Sequence, residues 1–147
     1  MRVFLDTNVL ASAAATRGLC ADVLREVLTS HELLISEQVL SELERVLRTK
    51  FGLPRDLIDD FMWLMQQDTV LAEPGPLPKV ELADQDDLPI LSAALSAQAH
   101  VFVTGDKEIL DLRRIGSLAI LSPRQFWEKL KGPPQRGAGR AKPRRSR

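Results

Sequence analysis

The chain has 147 residues, enough for one domain, and its 20 basic and 20 acidic residues cancel. Apolar residues at 44% and charged residues at 27% place it among ordinary globular proteins, able to bury a core without a disulfide or a structural metal. Its one cysteine, Cys20, excludes an internal disulfide, and with two histidines it cannot build a Cys/His zinc site. The Met1–Asp6 segment lacks an apolar signal core, and the longest uncharged run, Leu88–Gly105, carries Ser92, Ser96, Gln98 and His100. The expectation is a soluble, cytoplasmic protein.

Arg2–Leu5 is a short apolar run that predicts a buried strand, followed by Asp6-Thr7-Asn8 and an Ala-rich helical stretch. Val23, Leu24, Val27 and Leu28 have helical spacing, and His31–Ile35 predicts a second strand. Ser36 with Glu37 opens a helix reaching about Lys50. Gly52 and Pro54 end it, and Arg55–Gln67 predicts another amphipathic helix. Its Phe61, Met62, Trp63 and Met65 fall on more than one face, which suggests a partner covering part of it and a homodimer. Four prolines and glycines make Glu73–Ala83 a loop. A helix opens at Asp86 or Asp87 and runs through Ala97, with Pro89 in its first turn. His100–Val103 and Ser117–Leu121 predict two more strands, and Ser122 caps a last helix ending near Lys131. Strands alternating with helices predict a three-layer α/β/α fold on a central parallel sheet.

The neutral total hides an asymmetry. Residues 1–131 hold 14 basic and 20 acidic residues; residues 132–147 hold six basic residues and no acid. That tail, rich in proline and glycine, predicts a disordered extension that could hold a polyanion.

Parallel α/β sheets place their sites at the carboxyl ends of strands. Asp6 and Asp106 stand there, although each also has a helix-capping explanation. In Asp84-Gln85-Asp86-Asp87, Asp87 shares the inward face of Ile90 and Leu91; Asp86 is the better cap candidate and Asp84 the solvated one. On the Ser36 helix, Glu42 and Glu44 lie on opposite flanks, each roughly 100° from the centre of the apolar stripe, and periodicity does not choose between them. Carboxylates gathered at one sheet edge repel one another, and a divalent cation relieves the conflict. Such a site suits phosphodiester cleavage.

Leu5-Asp6-Thr7-Asn8-Val9-Leu10, Ser41-Glu42-Leu43-Glu44-Arg45-Val46-Leu47, Asp87-Leu88-Pro89-Ile90-Leu91 and Val103-Thr104-Gly105-Asp106 occur in this order. Together they resemble the PIN domain, especially the VapC-like toxins of prokaryotic toxin–antitoxin pairs, over roughly Arg2 to Lys131. The resemblance implies a PIN-like nuclease domain with a Mg²⁺- or Mn²⁺-dependent endoribonuclease activity. It implies a catalytic and metal-binding quartet of Asp6, Glu42, Asp87 and Asp106, choosing Glu42 over Glu44. Asn8 and Thr104 match supporting positions, with Ser36 a secondary candidate. RNA is the implied substrate, and a small antitoxin occluding the acidic cleft the implied partner. Gln85 stands where this subgroup often has proline, a change in loop rigidity. Phosphate contacts fall to Arg17, Arg45, Lys107 and the tail.

Other chemistries lack their residues. Asn8 stands where a haloacid-dehalogenase-type phosphatase needs a second Asp, and no GxxxxGK[ST] or GxGxxG loop is present. Absence of Tyr and only 5% aromatic residues argue against a base-stacking platform. The reading from another class is a non-catalytic RNA-binding or scaffold module of the same fold.

Overall fold

A computed structural model describes residues 1–132. The elements are β1 (Arg2–Leu5), α1 (Thr7–Ala15), α2 (Leu19–Ser30), β2 (Glu32–Ile35), α3 (Glu37–Thr49), α4 (Arg55–Gln67), β3 (Val70–Leu71), α5 (Asp87–Ser96), β4 (Val101–Val103), α6 (Lys107–Leu110), β5 (Arg114–Ile115), β6 (Leu118–Leu121) and α7 (Pro123–Lys131). The expectation of a disordered basic tail falls on residues 133–147, outside the described residues.

One sheet has the order β3-β2-β1-β4-β6-β5. Its strands are parallel except β5, which pairs antiparallel with β6. The expected parallel α/β sheet is therefore present with one antiparallel edge. Val3, Phe4 and Leu5 are all fully buried, as are Phe102 and Val103, so both faces of the central strands are covered and no alternation survives. Helices α1 to α4 pack on one another, α1 against α2 and α3, and α3 against α4, and α7 packs on α2. At the centre, the rings of Phe4 and Phe102, paired in register, stack with centroids 5.3 Å apart.

Local chemistry sets the helix ends. Ser36 Oγ accepts from Val39 N at the start of α3, whose Val39, Leu43 and Leu47 are buried. Ser122 and Gln125 form a reciprocal capping box at α7, with Pro123 in its first turn. Thr16–Gly18 splits the Ala-rich stretch into α1 and α2. Three elements escape the sequence pattern: β3 and β5, of two residues each, and the single turn of α6. Among the described residues, no helix is long and apolar enough to cross a membrane.

The chain leaves β1 for β2 and β3 on one side, then returns to β4 on the other flank of β1. The ends of β1 and β4 thus form a topological switch point, where loops depart to opposite faces and open a crevice. Val103 O accepts from Asp6 N at 2.9 Å and Leu121 O from Thr104 N at 3.0 Å, extending the ladder to the crevice floor. Phe102→Ala should cost about 3–5 kcal/mol in urea unfolding, since it empties the centre of the sheet; a loss below about 1 kcal/mol would contradict this packing.

Candidate active site

Asp6 leaves β1 in extended conformation and occupies the N-cap of α1. Its Oδ1 accepts from Thr7 N at 2.8 Å. Its Oδ2 accepts from Thr104 Oγ1 at 2.7 Å. The fully buried Thr104 hydroxyl in turn accepts from Asp106 N at 3.0 Å. One hydroxyl therefore ties the end of β1 to the loop after β4. Asp106 caps α6, with Oδ1 accepting from Glu108 N and Ile109 N. Capping and membership of the crevice coexist in both acids.

Glu42 projects from the flank of α3 that faces α1. Its Oε1 accepts from Thr7 Oγ1 at 2.9 Å and its Oε2 from Gln38 Nε2 at 3.0 Å. Gln38 also donates to the Asp86 carbonyl at 2.8 Å, joining α3 to the start of α5. Glu44, on the opposite flank, pairs with Arg55 at 2.8 Å and Arg48 at 3.5 Å. The Arg55 hydrogen bond, then Arg48, holds its carboxyl below the ordinary range. Long-range contacts thus separate two glutamates that helical period leaves equivalent.

Asp87 is the first residue of α5, half-buried, and its carboxylate has no hydrogen-bond donor among the described residues. Asp84 Oδ1 accepts from Asp86 N, and Asp86 sits at the N-cap position without a side-chain cap bond. Asp84 is exposed, as the sequence suggested, and also shapes the turn; the expectation for Asp86 is corrected, since it takes the N-cap position but does not cap with its side chain. Both border the same cleft of about 260 Å³ as Asp6, Thr7, Asn8, Glu42, Arg45, Asp87 and Asp106.

Burial pushes the Asp87 carboxyl up to about 7, reinforced by Asp6, Asp84, Asp106 and Glu42. Burial also raises Asp6, against the Thr104 and Thr7 hydrogen bonds that favour its charge, with Glu42 and Asp106 adding to the rise. Crowded carboxylates are hard oxygen donors, the set that suits Mg²⁺ or Mn²⁺. Among the described residues, no three His, Cys, Asp or Glu side chains stand close enough to ligate one ion together. The cleft instead leaves room for the waters that Mg²⁺ ordinarily keeps.

All four acids of the expected quartet border the cleft, and so does Asn8. Thr104 lies beneath, bonded to Asp6 and leading into Asp106. Ser36 caps α3 and does not border the cleft. Sequence reasoning missed Thr7 and Gln38. Thr7 inside the LDTN segment and Gln38 four residues before Glu42 were the available signals. His31 and His100 precede β2 and β4, at the opposite edge of the sheet.

A family model described as PIN domain matches residues 2–108. The chain belongs to the PIN-domain family. This PIN domain is similar in fold to VapBC2 from Rickettsia felis bound to a DNA fragment from their promoter, with a TM-score of 0.61 and 19% identity over 83% of this chain and 98% of that one. It is also similar to VapBC-1 from nontypeable Haemophilus influenzae, with a TM-score of 0.58 and 20% identity over 84% and 99%. A search of curated proteins by sequence returns no match.

Because the folded-state pKa of Asp87 in this PIN domain lies above its unfolded value of 3.8, the stability it contributes is complete below that value and is lost as pH rises through about 7. Asp87→Asn escapes that loss. In EDTA, the variant should melt above the parent at about pH 8, with the gap closing toward about pH 4; discounted for half exposure it is worth on the order of 1–2 kcal/mol. Coincident melting curves at both ends of that range would refute the crowding.

Proposed function

We propose that this PIN domain is a Mg²⁺- or Mn²⁺-dependent endoribonuclease acting as the toxin of a toxin–antitoxin pair. The observation that carries the reading is the meeting of Asp6, Glu42, Asp87 and Asp106, from four separate segments, around one cleft at the β1/β4 switch point. The family and the likeness to VapBC structures support it. Asp6, Asp87 and Asp106 hold the divalent cation, directly or through water. When bound, such a cation lowers the pKa of water and clamps the phosphate.

The chain's own residues supply the rest. Thr104 and Thr7 N fix the orientation of Asp6, so its carboxylate needs no rearrangement during the reaction. Glu42, held by Thr7 and Gln38, orients water for attack in line on the scissile phosphate. Asn8 lies exposed at the cleft and orients water or substrate oxygens. With no Tyr and few aromatic residues, recognition of the RNA rests on its phosphates and shape.

The antitoxin is a small protein whose segment occludes the acidic cleft. A homodimer covers α4, where Leu57, 51% exposed, borders a groove with Leu53, Phe61 and Leu64, and Trp63 is 62% exposed on another face. The protein works in the cytoplasm, where its RNA substrate is.

Purified protein should cleave RNA with Mg²⁺ or Mn²⁺. EDTA or Asp6→Asn should lower the rate by about a hundredfold or more. Equal cleavage by parent and Asp6→Asn would identify a contaminating nuclease and overturn the reading. RNA retention without cleavage across several metals would establish a binding or scaffold module instead.

A further inference from the structure

We infer that Arg45 binds the phosphodiester backbone of single-stranded RNA at the mouth of the acidic cleft, a role that rests on the ribonuclease reading and adds the residue that receives the substrate. Six carboxylates border this cleft: Asp6, Glu42, Asp84, Asp86, Asp87 and Asp106. A polyanion approaching such a surface is repelled unless positive charge stands beside it. Arg45 is the basic residue among those bordering the cleft, one helical turn beyond Glu42 on the same flank of α3.

The guanidinium of Arg45 is also uncommitted. It is exposed and makes no salt bridge or side-chain hydrogen bond among the described residues, although acids surround it. Glu42, at i−3, is turned toward Thr7 and Gln38, which donate to its two oxygens, and makes no ion pair with Arg45. Glu44, its neighbour in sequence, is held by Arg48 and Arg55 on the other flank. Other basic residues near the sheet edge are differently placed. Lys107 faces Asp111 at 3.8 Å, and Arg17 does not border the cleft. A permanently charged planar fork free of protein partners is matched to a phosphate and its two non-bridging oxygens. Placed beside Glu42, Arg45 draws the RNA strand along α3, so that the next phosphate lies over the acids.

The test separates binding from cleavage. Binding of a short fluorescein-labelled single-stranded RNA of randomised sequence is measured by anisotropy in the Asp6→Asn background, with Mg²⁺ present and salt varied. Adding Arg45→Ala should weaken binding about tenfold and lower the slope of log K against log salt by about one. Arg45→Lys should recover most of the affinity and the slope, whereas Arg45→Glu should lose more than Arg45→Ala. In the cleaving protein, Arg45→Ala should raise KM with little change in kcat. Unchanged affinity and slope in Arg45→Ala overturns the inference, as does absence of measurable RNA binding by the Asp6→Asn parent. If wild type fails to cleave while RNA binding depends on Arg45, the phosphate contact stands and the nuclease reading falls. If wild type cleaves and Arg45→Ala is indistinguishable from it in KM and binding, the reverse holds.

Discussion

Two neighbouring strands, β1 and β4, send their chains to opposite faces of the sheet, and the acids of the cleft depend on that divergence. It brings the end of one strand, Asp6, beside the continuation of the other, Thr104 to Asp106, with the Thr104 hydroxyl bonded to both. Gathering like charges here opposes folding. Burial and mutual repulsion raise Asp6 and Asp87 together, and only Asp6 receives compensating donors from the protein. The remaining conflict sits in Asp87, at the start of α5, and a proton relieves it. The fold thus tolerates a local instability at its cleft, held in place by the fully buried apolar sheet beneath.

Helix α3 has two flanks with different work. On one, Glu44, Arg48, Arg55 and Asp59 form an exposed ion-pair network that links α3 to α4. On the other, Gln38, Glu42 and Arg45 face the cleft, and Gln38 reaches across to the Asp86 carbonyl. Substituting one flank leaves the other's partners in place. The buried stripe of Val39, Leu43 and Leu47 fixes the rotation of the helix.

The parts of this arrangement that were legible in the sequence are those governed by local rules. Buried apolar runs announced β1, β2, β4 and β6, and an acid directly after β1 and shortly after β4 marked the carboxyl edge. Ser36 and Ser122 marked helix starts, and Gly52 and Pro54 a helix end, because caps and breakers act within a few residues. The choice between Glu42 and Glu44 was not legible from period, because both flank the stripe equally; it is decided by Thr7, 35 residues away in the chain. The same holds for Thr104 and Asp6, 98 residues apart. Strands β3 and β5 are too short to carry any alternation, and exist because β2 and β6 offer them a ladder. Asp84 is exposed as expected, whereas Asp86 holds the N-cap position without a side-chain cap bond, because a run of acids offers several equivalent capping arrangements that local rules do not rank.

The brevity of β3 and β5 has its own consequence. A sheet ending in long open strands offers main-chain amides and carbonyls that any extended peptide can use, whatever its sequence. Here both margins close after two residues, so there is almost no generic zipper to extend. A protein that meets the sheet at these margins is recognised through side chains rather than by strand addition, and a few surface substitutions suffice to tell one companion from another while the strands stay as they are.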